Sequence, residues 1–296
     1  MMLRAAAAAV FILVAAAICW SPALASRPRL NYRPDLPPRI LHFPQDRYAV
    51  ARVYLMDWEI RYSVRMFQNG FRDLGAARGE VRVPRGGAVG LVISMEGVDN
   101  LASLSMLAPD DIQYIRANSI PLQSADLESF KHLTGLEELD CKFTDLDDEA
   151  LPILAAFPRL EVLFLENSNM RGTNFGLLSK MPRLRSLHLD YSQVTDAGIK
   201  ALSSSRTLLD LSLEGNKVTR ACLDDLLALE QIEQLRIPGI GLTDEDLMKL
   251  AKLKNLKHLK IGRDAITPAG AAAFRKARPD CQLTSLKFNI SPDMLF

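Results

Sequence analysis

The sequence predicts an α/β solenoid: a curved parallel β-sheet on the concave face, helices on the convex face, and a small β-rich cap at the N-terminus. Three observations lead there. A period of 24 residues runs through eight units without an insertion. In each unit two apolar positions lie two residues apart, the spacing that puts both on one face of a strand. Beyond them, apolar residues return at helical spacing. Composition agrees with a folded chain, since 48% of the 296 residues are hydrophobic and 24% are charged. A formal net charge of +1 gives no global attraction to nucleic acid, so no nucleic-acid partner is expected. Four cysteines are too few for a disulfide-built scaffold.

In chain order, residues 1–25 read as a signal peptide. Arg4 supplies the positive charge, residues 5–18 are an unbroken apolar run, and Ala23, Leu24 and Ala25 give the small-x-small pattern of a signal-peptidase site. A membrane-spanning helix needs about 20 apolar residues, and this run is shorter. Cys19 follows Ile18 rather than the small residue that a lipoprotein signal requires. The expectation is cleavage after Ala25 and export to the periplasm or the extracellular space, with no stable membrane insertion afterwards. Residues 26–39 carry four Pro and four Arg and read as an extended linker.

Residues 40–87 read as the N-terminal cap, which a stacked fold needs over the open apolar face of its first unit. Residues 49–55 favour a strand. Trp58, Ile60, Val64, Phe67, Phe71 and Leu74 recur near helical spacing, so a helix is expected within residues 57–74. Residues 80–84 and 89–93 flank Arg85, Gly86 and Gly87 in a hairpin pattern. Charge shifts at this boundary. Residues 26–87 hold 12 Arg, no Lys and 6 acidic residues, a net +6, while residues 88–296 hold 23 basic and 29 acidic residues, a net −6.

Residues 88–279 hold the eight units, which begin at Ala88, Ile112, Leu136, Leu160, Leu184, Leu208, Ile232 and Leu256. Position four is apolar in all of them, from Leu91 to Leu259, and position eleven from Val98 to Ile266. Position six is apolar too, with Cys141 in the third unit. Asp147-Asp148, Thr195-Asp196 and Thr243-Asp244 then stand where a helix needs its cap. Ile199 and Leu202, then Leu223, Leu226 and Leu229, then Leu247, Leu250 and Leu253 line one helical face in their units. Each unit is therefore strand, turn, helix and return. It buries its apolar face only by stacking, with strands about 4.8 Å apart. Strands pack closer together than helices, so the sheet takes the concave side. Residues 280–296 are expected to close the stack as a C-terminal cap.

This spacing, L-x-x-L-x-L-x-x-N-x-L, resembles the leucine-rich-repeat family over residues 88–279. Val194-Thr195-Asp196 and Leu242-Thr243-Asp244 are similar to exported bacterial members and, more distantly, to the repeats of F-box proteins. Asn216 alone keeps the family's asparagine at position nine; Thr144, Ser168, Ser192 and Asp264 are short polar residues suited to the same turn.

Positions three, five and seven of each unit face away from the core. The candidate ligand-binding residues there are Glu138, Asp140, Phe164, Glu166, His188, Asp190, Asp210, Glu214, Arg236 and Lys260, with Tyr191 beside them. The middle of this face is acidic and its C-terminal end basic, with Arg263 just beyond. Phe164 is expected to be an exposed anchor among carboxylates. After cleavage Cys141, Cys222 and Cys281 remain, expected as buried free thiols.

No Gly-x-Ser-x-Gly, Walker loop, His-Glu-x-x-His or Cys-x-x-Cys is present. The reading is a non-catalytic exported scaffold, without cofactor or metal, that recognises a protein, or secondarily a glycan, on its concave sheet. One alternative is a substrate-recruiting adaptor of F-box-like type. Another is a hydrolase using Ser186, His188 and Asp190, which share a face but stand about 7 Å apart at Cβ. Glu166, Asp190 and Asp210 are oxygen donors on neighbouring strands, a set that suits a hard cation; the alternative is solvated, mutually repelling carboxylates.

Overall fold

A computed structural model of the chain describes residues 36–45, 49–56, 71–262 and 265–285. The expected signal peptide, most of the linker, residues 57–70, Arg263 and Asp264 lie outside the described residues. Four strands precede the units: β1 (Arg39–Phe43), β2 (Ala51–Met56), β3 (Phe71–Ala76) and β4 (Gly79–Val83). The units contribute β5 (Val89–Ile93), β6 (Tyr114–Arg116), β7 (Glu138–Asp140), β8 (Val162–Phe164), β9 (Ser186–His188), β10 (Asp210–Ser212), β11 (Gln234–Arg236) and β12 (His258–Ile261). A further strand, β13 (Gln282–Ser285), follows the eighth unit.

β5 to β13 form one parallel ladder, and each pairing steps by 24 residues. Leu91 lies opposite Ile115, Leu139 opposite Leu163, and Leu259 opposite Leu283. The position-four side chains from Leu91 to Leu259 are at most 1% exposed. A buried Leu of this kind contributes about 2 kcal/mol. Across from the strands, Ile199, Leu202, Leu226, Leu247 and Leu250 are fully buried, as the helical spacing predicts. Phe130, Phe157, Phe175 and Phe274 are the largest fully buried side chains.

The returning segments are less uniform than the pattern implies. Residues Asp196–Leu202, Asp244–Leu250 and Pro268–Ala277 are α-helices. The second unit has only a 3-10 helix, Ser124–Phe130, and the fourth only the turn Leu178–Lys180. Gly172 explains the fourth. Its φ is +94°, and a Cβ there would stand 2.6 Å from the Gly198 Cα, so the two units touch backbone to backbone.

In the third to sixth units the turn after the strand rests on a polar ladder at position nine. Thr144 Oγ1 donates to the Cys141 carbonyl at 2.8 Å, and Ser168 Oγ to that of Leu165 at 2.7 Å. Ser192 Oγ reaches back to the same Leu165 carbonyl at 3.0 Å. Asn216 spans two units: its Nδ2 donates to the Leu189 carbonyl at 2.8 Å, and its Oδ1 accepts from the Val194 amide at 3.0 Å. The short side chains thus serve the asparagine's turn. Asp148, Asp196 and Asp244, two residues past position eleven, bond to the next unit. Asp196 accepts from the backbone and hydroxyl of Thr219, and Asp244 from those of Thr267, each one unit on. Asp148 accepts from three successive amides of the next unit, Arg171, Gly172 and Thr173.

Two expectations are corrected at the N-terminal end. β4 and β5 do not form a hairpin: β4 pairs antiparallel with β1, and β5 pairs with β2 and β6. The alternation of β5 belongs to the first unit, so both its edges are taken by the main sheet. β2 and then β3 extend that sheet antiparallel, giving eleven strands, while β1 and β4 stand as a separate pair. Phe71, Arg72, Asp73 and Leu74 lie in strand β3 rather than at the end of a helix. The ladder also continues past residue 279, because Leu283 keeps the 24-residue register that β13 needs. Arg278 secures this end. Its buried guanidinium donates to the carbonyls of Ala251, Leu253, Lys254 and Leu256.

The ladder has a measurable weight at Asn216. Replacing it with Ala leaves the Val194 amide and the Leu189 carbonyl without this partner. Thermal unfolding of Asn216→Ala should show a loss of about 2 kcal/mol, a Tm lower by about 4–8 °C. An unchanged Tm would show that the turn holds without the ladder.

Candidate functional site

On the helix-free face of the sheet, side chains of adjacent units stand about 4.8 Å apart, and this closeness governs their exposure. Glu138, Ser186 and Asp210 at position three are only 6%, 1% and 2% exposed. Longer side chains at position five lie across this row. Arg236 Nη1 donates to Asp210 Oδ1 at 2.9 Å and its Nη2 to Gln234 Oε1 at 3.2 Å. His188 Nε2 lies 3.2 Å from Asp210 Oδ2, and Ser186 Oγ donates to that same oxygen at 3.4 Å.

The candidate residues gather into three groups. Asp210, His188 and Arg236 form the first. In the second, Glu214 accepts from the Tyr191 hydroxyl and from Lys260 Nζ, each at 2.8 Å. Asp190 sits beneath it, accepting from Ser212 Oγ at 2.5 Å and from the Glu214 amide at 2.7 Å. The third surrounds Phe164. Lys142 Nζ stands 4.3 Å from the ring centroid, and the His188 ring meets it edge-on at 4.8 Å. Lys142 also lies 3.5 Å from Glu166 and 4.0 Å from Asp140, and Asn118 donates to Asp140 at 2.9 Å. Glu138 occupies the same strand as Asp140, two residues before it.

The expectation of solvated carboxylates is therefore corrected. Asp140, Glu166 and Asp210 are buried rather than solvated: Asn118 donates to Asp140, Lys142 and His188 face Glu166, and Arg236, His188 and Ser186 address Asp210, while Asp140 Oδ1 and Glu166 Oε2 keep no hydrogen-bond partner among the described residues. Phe164 is half-buried between Lys142 and His188, not an open anchor. Glu166 is the extreme case. One oxygen faces Lys142 and His188, while Oε2 has no hydrogen-bond partner. Burial, reinforced by Asp140 and Asp190 and opposed by Lys142, pushes its pKa up to about 8. Burial also raises Asp190, against the bonds from Ser212 and the Glu214 amide.

The hydrolase arrangement is not assembled. Ser186 is 1% exposed, out of reach of a substrate, and both it and His188 address Asp210, while Asp190 is engaged by Ser212 and the Glu214 amide. Glu166, Asp190 and Asp210 are likewise committed to separate partners. Among the described residues no group of three or more His, Cys, Asp or Glu is placed to hold a metal ion. Cys141, Cys222 and Cys281 are buried and free, and burial lifts all three thiols above the usual range, to about 12 at Cys222 and about 11 at Cys281.

Position eight, just past each strand, carries what the alternation pattern misses. Ser119, Phe143, Asn167, Tyr191, Gly215 and Gly239 fall at this position in six consecutive units, and all six have positive φ. Each non-glycine amide among them still donates to the next unit, as Phe143 does to the Glu166 carbonyl at 2.9 Å and Tyr191 to the Glu214 carbonyl at 2.6 Å. Phe143 and Tyr191 are 41% and 45% exposed. Phe143 stands outside the candidate set drawn from the strand alternation. The glycines that share its register in two later units are the signal that marks the position.

The protonation of Glu166 carries a test. Its folded pKa lies above the ordinary value of 4.5, so the folded chain holds the proton more tightly than the unfolded one. That contribution is full below pH 4.5 and is lost as pH rises through about 8. Glu166→Gln mimics the protonated group and removes the titration. Denaturant unfolding should show the variant gaining on the parent as pH climbs from 5 to 8, by on the order of 2–4 kcal/mol. Parallel pH profiles would contradict the burial of this carboxyl.

Comparison with known proteins bears on the array. The leucine-rich-repeat family matches residues 180–203, one full period. An internalin of Listeria monocytogenes has a similar solved structure, with a TM-score of 0.48 and 18% identity over 64% of this chain and 58% of its own. A leucine-rich-repeat protein of Leptospira interrogans gives 0.47 and 20%, over 62% of this chain and 44% of its own. An internalin C2 of Listeria monocytogenes gives 0.46 and 18%, over 64% and 91%. The chain thus matches less than two thirds of the length of the first two. No curated protein matches the chain. Among the described residues no helix is long and apolar enough to cross a membrane. One period of the array, residues 180–203, thus matches a leucine-rich repeat, and the other units share its strand register, so the fold is a leucine-rich-repeat-like solenoid.

Proposed function

We propose that the protein is an exported, non-catalytic scaffold that binds a protein ligand on the concave face of its sheet. One observation supports this above the rest: a row of charged and aromatic side chains already fixed by their neighbours before any partner arrives. His188, Arg236 and Lys260 are each held by a carboxylate of another unit, and Lys142 lies over the Phe164 ring of the next unit. Side chains ordered in the free protein lose little further entropy on binding, which favours affinity. The half-buried Phe164 ring, flanked by Lys142 and His188, gives such a surface an apolar centre with a polar surround. Export is supported by the leader pattern of residues 1–25.

The test is affinity capture from the exported fraction, read by mass spectrometry. Phe164→Ala should weaken retention of the captured protein about tenfold. Raising salt should weaken it further, because the surface is charged. Asp190 is a poor choice for such a test, since Ser212 and the Glu214 amide depend on it. Arg275→Glu with Lys276→Glu, on exposed positions of the last helix, serves as the control and should leave capture intact. Loss of capture in the control but not in Phe164→Ala would move the interface to the helical side.

A further inference from the structure

We infer that Phe143 and Tyr191 form an anchoring ledge for a basic, proline-rich segment in the polyproline II conformation, running along the stack. This rests on the reading that the concave side binds a protein, and it names the kind of segment that binds.

The ledge is built before any ligand comes. Both residues hold a φ of 56°, a backbone state that bulky side chains rarely adopt. Their amides remain in the inter-unit ladder, so the stack enforces the state rather than the side chain choosing it. The Tyr191 ring lies against Gly215, where a Cβ would stand 2.5 Å from the ring. Its hydroxyl donates to Glu214, which Lys260 holds in turn. The ring is thus supported from below and tethered at its tip while 45% of the residue stays exposed.

Spacing selects the ligand's conformation. Phe143 and Tyr191 sit at one position two units apart, about 9.6 Å along the ladder. The side chain between them is the shorter, polar Asn167. Two units before Phe143, Met95 occupies the same position and is 56% exposed. A polyproline II helix repeats every three residues, about 9.3 Å, so every third side chain meets an apolar post. An extended β-strand repeats its face every two residues, about 6.8 Å, and falls out of step. Proline rings packing on aromatic ledges are a known use of this helix, whose order is present before binding.

Charge selects the basic flanks. On the face beside the ledge, Glu138, Asp140, Asp190, Asp210 and Glu214 outnumber Arg116, Lys142, Arg236 and Lys260 by five to four, with Glu166 held protonated by its burial. That surplus complements arginine or lysine placed between the prolines.

The probe is a synthetic peptide of repeating Pro-Pro-Arg, titrated into the full chain by calorimetry. Phe143→Gly and Tyr191→Gly are the variants of choice, because Gly already stands at this position at 215 and 239. Each should keep or raise the Tm, since it relieves the backbone, while weakening peptide binding about tenfold; the pair together should abolish it. A peptide of the same composition in scrambled order should bind at least fivefold more weakly, as its prolines miss the two-unit step. Equal binding by the double variant, or by the scrambled peptide, overturns the proposal. So does binding of a soluble oligosaccharide, but not the peptide, to the same rings. If the parent chain ignores the peptide while Phe164→Ala still weakens protein capture about tenfold, the ledge assignment fails and the wider reading stands.

Discussion

The fold depends on one constraint, the hydrogen-bonded register between successive 24-residue units. After each strand the chain stays bonded to its neighbours while it changes direction. The amides at positions six and eight donate to the following unit, as Cys141 and Phe143 do to Phe164 and Glu166. The amide at position ten donates back to the preceding unit, as Asn169 does to Leu146. Between a bond forward and a bond backward the backbone must reverse, and it does so by entering the left-handed region at position eight. In the third to sixth units a polar side chain at position nine then bonds to carbonyls that the reversal exposes. Burial of the leucines at positions four, six and eleven is possible only because this geometry repeats without an insertion.

The same register explains why an acid-rich face is compatible with stability. Stacking in step brings like positions of adjacent units to about 4.8 Å, which would set carboxylates against one another. The side chains instead pair across units. Arg236 covers Asp210 one strand away, and Lys260 reaches Glu214 two units back. Where no cation suffices, as at Glu166, burial keeps the group neutral at physiological pH. Such pairs add little net energy, because the desolvation of the charges offsets most of the attraction. Their effect here is to fix side chains in place on the surface.

Much of this was legible in the residues. The period placed every unit strand, and the alternation at Leu139, Leu163 and Leu187 identified the buried face. The charge at Asp210 and Glu214 was visible, but its pairing was not, because a letter pattern records type and spacing rather than the reach of an arginine across a neighbour. Strand partners at the N-terminus were also hidden. Val89, Leu91 and Ile93 read equally as one arm of a hairpin or as the first rung of the ladder, and only tertiary pairing with β2 and β6 separates the two. Nothing in the residue pattern singles out Arg278, although it collects the carbonyls of four residues where the seventh unit meets the eighth.

Position eight shows how a structural requirement and a functional one can be told apart. The turn needs only a positive φ there, and glycine supplies it at no steric cost, as at Gly215 and Gly239. Asn167 is the usual second choice, since its short polar side chain tolerates the region. Phe143 and Tyr191 satisfy neither preference; each costs about 1–2 kcal/mol of backbone strain relative to an unstrained residue. Burial offsets that cost only in part, because 41% of Phe143 and 45% of Tyr191 stay exposed. At Tyr191 the surroundings go further, with Gly215 leaving room for the ring and Glu214 holding its hydroxyl. A fold that can make this turn with glycine has no stability reason to place two aromatic rings there. Their presence at a two-unit step is therefore an argument about what the rim touches, not about how the stack stands.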